Sequence, residues 1–69
     1  MKKFYYSIEN NHTNIYQHCK YVVYLYDYDY DMYSSFRSYY FENLPSVKEI
    51  RNRIVDNLWI FDFKISEKR

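Results

Sequence analysis

The residues best suited to chemistry in this 69-residue chain lie in one run, residues 21–33, with the sequence Y-V-V-Y-L-Y-D-Y-D-Y-D-M-Y. From Tyr24 onward, tyrosine and aspartate alternate with period two. This is the period of a β-strand, because successive side chains leave opposite faces of the pleat. The pattern predicts a contact surface with phenols on one face and carboxylates on the other. The predicted partner-binding residues are Tyr24, Tyr26, Asp27, Tyr28, Asp29, Tyr30 and Asp31.

The aspartates of this run are spaced like the charges of a nucleic acid. On a strand, Asp27, Asp29 and Asp31 would be separated by about 6.6–6.8 Å, a spacing comparable to that of neighbouring phosphates. Such a row would imitate DNA and enter a basic channel on a nucleic-acid-handling protein. The alternative is a solvated hairpin tip whose charges discourage edge-to-edge aggregation. A divalent-cation site is disfavoured, because the Gly and terminal Glu of an EF-hand loop are missing.

The tyrosines allow three interpretations. Tyrosine is enriched at protein interfaces, so the tyrosine face is expected to contact another macromolecule or a second copy of the chain. A single-stranded nucleic acid is the alternative ligand, because aromatic side chains on a sheet stack bases and nearby lysines bind phosphate. The face that suits this alternative comprises Tyr16, His18, Lys20, Val22, Tyr24 and Tyr26.

Cysteine and histidine usage bears on compartment, metal binding and catalysis. Cys19 is the only cysteine, which excludes an intrachain disulfide and suggests a reducing, cytoplasmic compartment. With His12 and His18 it supplies three soft ligands, whereas a structural zinc site normally uses four. A nucleophilic Cys–His pair needs a pocket that so short a chain barely builds. We therefore expect no enzyme activity, no metal site and no cofactor.

Charge and hydropathy exclude two further classes of function. The net charge is +1, and residues 24–45 carry −3 from four carboxylates and one arginine. A duplex-binding protein of this size is expected to be strongly basic, since phosphate contacts dominate its affinity. The longest apolar stretch, residues 21–26, is far shorter than the roughly 20 residues of a membrane helix. No membrane association is expected.

The remaining periodicities predict an α+β fold of the order β-β-β-α-β, in which one helix packs on an antiparallel sheet. Ser46 and Glu49 have the spacing of a helix capping box. An apolar stripe at helical period follows them: Val47, Ile50, Ile54 and Leu58. The single domain, residues 1–69, is predicted to contain strands at about 2–9, 15–28, 33–42 and 59–65 and a helix at about 46–57.

Residues 57–61, Asn-Leu-Trp-Ile-Phe, have two interpretations. Apolar side chains alternate from Trp59 onward, which predicts the core-facing side of the fourth strand. The segment also resembles the Gln-Leu-x-Leu-Phe peptide with which bacterial proteins dock on the replication sliding clamp. Leu58 and Phe61 match that peptide, Ile60 replaces Leu, and Asn57 replaces Gln. The resemblance implies docking on a clamp, a basic ring around DNA that the aspartate row would suit.

Amino-acid usage resembles that of accessory proteins from phages of AT-rich Gram-positive hosts. Gly and Ala are absent, and residues with AT-rich codons (Phe, Tyr, Ile, Lys and Asn) make up 34 of the 69. The resemblance implies a small phage-type inhibitor that acts on a host protein. Base composition by itself also accounts for part of the tyrosine content.

The sequence as a whole predicts a binding protein of the host-cell cytoplasm. It is expected to block the nucleic-acid channel of a replication or nucleic-acid-processing protein, a sliding clamp or similar, and to form a homodimer, because chains of this length often need self-association for stability. The alternatives are a single-strand-binding module and a self-associating structural protein.

Overall fold

A computed structural model describes residues 1–68, and its elements follow the predicted order β-β-β-α-β. Four strands form one sheet and a single helix packs against it, so the predicted α+β fold is confirmed. The elements are β1 (Lys2–Asn10), β2 (Tyr21–Asp27), β3 (Arg37–Phe41), α1 (Val47–Leu58) and β4 (Phe63–Glu67).

The sheet is mixed, with the spatial order β3-β2-β1-β4. β2 runs antiparallel to β1 and to β3, as predicted, and Tyr24 lies between Ser7 and Ser38. β4 instead runs parallel to β1, with Ile65 opposite Phe4, which corrects the expectation of a wholly antiparallel sheet. The reason is the connection. α1 returns the chain to the end of the sheet where β3 begins, so β4 starts there and runs in the direction of β3.

The hydrophobic core lies between α1 and one face of the sheet, here called the inner face. Ile50 and Ile54 of the helix are fully buried. Alternation along the strands directs the apolar partners of these residues to the inner face: Phe4, Tyr6, Val23, Leu25, Tyr39, Phe41 and Phe63. Two arginines of α1 cover the rim of the core, since the Cζ atoms of Arg51 and Arg53 lie 4.4 Å from the ring centres of Phe63 and Phe41.

α1 has the predicted start. The Ser46 hydroxyl accepts a hydrogen bond from the Glu49 backbone N–H at 3.2 Å, and the Glu49 carboxylate accepts one from the Ser46 N–H at 3.2 Å. This is the capping box expected from the sequence. The helix continues through Leu58, and Trp59 caps its end. Within residues 1–68, no helix has the length and apolar character needed to cross a membrane.

β2 begins at Tyr21, not near residue 15 as predicted. The side chain of Asn11 explains the difference, because its Nδ2 donates to the carbonyls of Ile15, Tyr16 and Cys19 at 3.0–3.2 Å. When a side-chain amide donates hydrogen bonds to nearby backbone carbonyls, those carbonyls no longer need partners on a neighbouring strand. Residues 11–20 therefore form a loop, and Ile15 is 56% exposed.

Candidate functional site

The predicted row of aspartates is not extended. β2 ends at Asp27, the next three residues form a turn, and Asp27 and Asp31 make an isolated bridge across it. Asp27 Oδ1 accepts a hydrogen bond from the Asp29 N–H at 3.0 Å, and Asp31 Oδ1 accepts one from the Tyr33 N–H at 2.8 Å. Carboxylates that bind a backbone N–H two residues ahead stabilise turns. The regular spacing needed for phosphate mimicry is thus contradicted by the structure.

Asp27 has a structural role in addition. Asp27 lies opposite Phe4 on the neighbouring strand, so its side chain is on the inner side of the sheet. There its Oδ2 forms an ion pair with Lys2 Nζ at 2.5 Å. The pair joins the end of β2 to the start of β1. Of the three aspartates, Asp27 is therefore the one whose charge is neutralised by an ion pair.

The four predicted contact tyrosines are divided between two surfaces. Tyr24 and Tyr26 are half-buried on the outer face of the sheet, the face away from α1. Tyr28 lies in the turn, where its ring meets that of Tyr5 edge-on at 5.6 Å. Tyr30 is 87% exposed at the tip of the turn. One continuous tyrosine face, as predicted from the alternation, does not form.

Several chain segments meet at one end of the sheet. Phe63 at the start of β4 lies opposite Lys2, and Arg37 at the start of β3 lies opposite Leu25 near the end of β2. The end of α1 is held there too, because Asn57 Oδ1 accepts hydrogen bonds from Arg37 Nε at 3.3 Å and from the Tyr39 hydroxyl at 3.1 Å. The β2–β3 connection and the α1–β4 connection therefore lie at the same end.

We call this end the aromatic pole, because exposed rings collect there. The four most exposed aromatic side chains among residues 1–68 all belong to it: Tyr33 at 92%, Tyr30 at 87%, Trp59 at 77% and Phe61 at 67%. Burial of such rings against another molecule removes a large apolar area from water. Tyr33, Trp59 and Phe61 were not among the predicted contact residues.

The aromatic pole is also acidic. Asp29 and Asp31 lie in the β2–β3 connection, and Asp56 and Asp62 flank the segment that carries Trp59 and Phe61. Asp29, Asp56 and Asp62 are exposed, and Asp31 is half-exposed. Arg37 opposes them at the same end of the sheet, and so do Lys3 and Lys64 on its outer side, where Lys3 Nζ lies 5.3 Å from the centre of the Tyr28 ring. Lys2 is paired with Asp27. Clustered carboxylates at one end create a negative potential that attracts a basic surface.

Residues 59–62 do not belong to the fourth strand, contrary to prediction. β4 begins at Phe63, and Trp59 takes the left-handed conformation, with φ 57° and ψ 32°. This conformation turns the chain sharply at the end of α1 and places Leu58 and Ile60, rather than the two rings, against the core. The prediction that Trp59 and Phe61 pack in the core is wrong.

The two exposed rings of this segment form a small contact site. Trp59 and Phe61 meet edge-to-face, with their centres 6.3 Å apart and their planes at 86°. Together with Val55 and Asp56 they line a surface depression of about 280 Å³. The segment that resembles a clamp-docking peptide is thus accessible from outside. No sequence signal marks the turn, because a left-handed helix cap is usually glycine and the chain has none.

The outer face of the sheet is partly covered. The ring of Tyr16 lies 5.0 Å from that of Tyr40, so the loop of residues 11–20 folds over the β3 side of this face. Val22, an outer-face residue, is consequently buried. The pKa of the Tyr24 hydroxyl is raised above its ordinary value by desolvation and then by the nearby charge of Glu9, with smaller effects of neighbouring tyrosines. Elsewhere on the outer face, Tyr5 and Tyr26 are half-buried, with Tyr28 packed against the first and Lys68 against the second.

The soft ligands do not assemble into a metal site. In the part of the chain that the structure describes, no three side chains of His, Cys, Asp or Glu come together as a candidate metal site. Cys19 is a buried free thiol, and the exposed His18 packs its ring edge-on against Tyr16 at 6.3 Å.

Comparisons with protein-family models, with curated proteins and with solved structures found no match for this chain.

Proposed function

We propose that the protein is a small, phage-type inhibitor that binds a nucleic-acid-handling host protein through the aromatic pole. One observation supports the proposal above all others. The four most exposed aromatic rings come from two separate connections and lie at the same end of the sheet. Side chains of this kind, Tyr and Trp, supply most of the energy at protein interfaces when they enter pockets of a partner.

The charge of the pole supports a basic partner. Four carboxylates that are exposed or half-exposed surround the rings, and the ion pair with Lys2 already neutralises Asp27. A protein surface that normally binds phosphates carries Lys and Arg and therefore complements this charge. In the proposal, a cluster of carboxylates at the aromatic pole binds the basic side chains of the partner's nucleic-acid channel. This cluster replaces the row of three aspartates expected from the sequence.

A sliding clamp is the specific target proposed, and the accessible segment of residues 57–61 supports it. Phe61 occupies the position of the final Phe in the clamp-docking peptide and is 67% exposed. Leu58 and Ile60 are half-buried against the core of this protein, so Phe61 and the neighbouring Trp59 are the side chains free to enter a partner's pocket.

Binding to a purified Gram-positive sliding clamp tests the proposal directly. The first variant is Trp59→Ala with Phe61→Ala, and the second is Tyr30→Ala with Tyr33→Ala. Leu44→Ala serves as the matched control, because Leu44 is 64% exposed and lies in the β3–α1 connection at the opposite end. Loss of a buried aromatic anchor costs about 2 kcal/mol or more, or roughly 30-fold in affinity, and the control should bind normally.

Electrostatics is tested separately with Asp29→Asn and Asp31→Asn together. At position 31, asparagine keeps an oxygen that accepts the hydrogen bond from the Tyr33 N–H, and residue 29 takes part in the turn through its backbone N–H, so the fold should be retained. Association with a basic partner should slow, and its dependence on salt should flatten. Failure of the clamp to bind would remove it as the target. A partner captured from host extract by the wild type can then be tested against the two double variants, Trp59→Ala with Phe61→Ala and Tyr30→Ala with Tyr33→Ala. If it bound both as tightly as the wild type, the aromatic pole would not be the binding site.

The cytoplasmic location and the homodimer predicted from the sequence stay predictions. Sedimentation of the purified chain measures its oligomeric state.

A further inference from the structure

We propose that the outer face of the sheet is a second binding site, which adjoins the aromatic pole where Tyr28 contacts Tyr5 and Lys3, and that it takes single-stranded nucleic acid. The site comprises Tyr5, Tyr24, Tyr26, Lys3, Lys64 and Lys68. The inference goes beyond the proposed function, because it assigns a different surface and a different class of ligand.

The tyrosines of the outer face are adjacent to one another. Tyr5 lies directly opposite Tyr26 on the neighbouring strand, and Tyr24 lies two residues from Tyr26 on the same strand. All three are half-buried, so their positions are restrained by packing while part of each ring stays open to solvent. Rings held in this way can stack on unpaired bases, and stacking does not depend strongly on which base is present.

The lysines lie beside these rings. Lys3 is directly opposite Lys64, and both follow the alternation that leads to the outer face. Lys68 Nζ lies 4.2 Å from the centre of the Tyr26 ring. Within residues 1–68, the one salt bridge joins Lys2 to Asp27 on the inner side of the sheet. The ammonium groups of the outer face are thus not paired with carboxylates in the described chain. Glu9, beside Tyr24, is a carboxylate on the same face, so the positive charge is concentrated at Lys3, Lys64 and Lys68.

This charge favours a phosphodiester chain over a second copy. A twofold dimer brings the same patch of both subunits together, so the lysines of one copy would approach those of the other. Like charges at close range oppose such a contact, whereas phosphates beside stacked bases match both the lysines and the rings. Duplex is disfavoured, because its bases are already stacked on each other.

The inference is tested by measuring the affinity for a labelled oligothymidylate by fluorescence anisotropy. An oligonucleotide of about 12 nucleotides is suitable, because this length is within the known range of such sites. The wild type should bind with a negative dependence on salt. Replacement of Lys3, Lys64 and Lys68 by Gln should reduce the slope of log K against log salt by about 2, at roughly 0.7 for each phosphate contact.

Tyr26→Leu should weaken binding about five- to 150-fold, the effect of losing one base–aromatic stack. Tyr26→Phe keeps the ring and should bind nearly as well as the wild type. Tyr30→Leu with Tyr33→Leu, the same kind of change at the aromatic pole, should leave oligonucleotide binding intact. This last control separates the second site from the proposed function.

Three results would overturn the inference. The first is no binding of the oligonucleotide at low salt. The second is binding that is as strong for duplex as for single strand and is unchanged in the lysine variant. The third is a wild-type dimer in sedimentation that Tyr26→Leu converts to a monomer, since a second copy would then cover this face. If Tyr26→Leu unfolds, as judged by circular dichroism, the salt slope of the lysine variant and the Tyr26→Phe affinity decide the question.

Discussion

Replacement of Trp59 by glycine should relieve backbone strain at the end of α1 while it removes a proposed contact ring. Trp59 has φ 57° and ψ 32°, a conformation that only glycine adopts without a steric penalty. Its side chain is 77% exposed, so the native structure gains little from burying it. The backbone strain at Trp59 therefore lowers the stability of the fold, whereas the exposure of its ring makes that ring available to a partner.

The expected size follows from a comparison of glycine with alanine at the same position. Both changes remove the indole and its edge-to-face contact with Phe61, so these losses cancel. Alanine keeps the left-handed penalty of about 1–2 kcal/mol, whereas glycine loses about 0.5–1 kcal/mol more backbone entropy on folding. From the midpoints of these two ranges, Trp59→Gly should therefore be more stable than Trp59→Ala by about 0.75 kcal/mol. A domain of this length has a total stability of about 3–10 kcal/mol, so the difference is measurable.

Urea denaturation followed by circular dichroism measures the two free energies of unfolding. At about 4–8 °C per kcal/mol, the melting temperatures should differ by roughly 3–6 °C, with glycine higher. Clamp binding should be weakened equally in both variants, because both lack the ring. If alanine were as stable as glycine, or more stable, the left-handed cap at the end of α1 would be refuted.

Two further predictions concern the fold that supports the site. Ser46→Ala should destabilise the protein by about 1 kcal/mol in urea denaturation, because it removes the hydroxyl that caps α1, and the exposed Ser35→Ala should have no effect. An equal effect of the two serines would argue against the capping box. The pKa of Tyr39 is raised above 10.0 by burial, which outweighs the lowering effect of Arg37 and Arg53. The folded state thus holds this proton more tightly than the unfolded state, so the contribution to stability is present below about pH 10 and is lost as pH rises through the folded-state pKa. Tyr39→Phe should lose less stability than the wild type between pH 9 and 11 (a range of about one unit on each side of pH 10), and parallel curves would contradict the assignment.

Local patterns in the sequence were sufficient to predict several parts of the structure. The capping box at Ser46 and Glu49 depends only on residues three apart, and it forms as predicted. The alternation that directs Val23 and Leu25 to the core is also local, and both are fully buried. Ser46 caps the helix, and the elements follow one another along the chain in the order β-β-β-α-β, because each of these features is determined by neighbours along the chain.

Other features depend on turns and side-chain hydrogen bonds that the alternation of apolar and polar residues does not encode. Alternation predicted β2 to run from near residue 15 to residue 28, but the Asn11 side chain and the Asp27 turn limit it to Tyr21–Asp27. The same kind of alternation predicted that Trp59 would be buried, and the turn after α1 exposes it. Period two shows which side chains share a face of a strand, but not where hydrogen bonding to a neighbouring strand stops.

The sequence by itself determined the fold class, the start of the helix, and an unusual supply of tyrosines and aspartates. The tertiary structure alone decided that β4 runs parallel to β1, and that rings from the β2–β3 and α1–β4 connections share one end of the sheet. The physical reason is the separation along the sequence between the residues that are in contact. Caps and alternation are set within a few residues, whereas the aromatic pole is assembled by strand pairing between residues such as Lys2 and Phe63, which lie almost the whole chain apart.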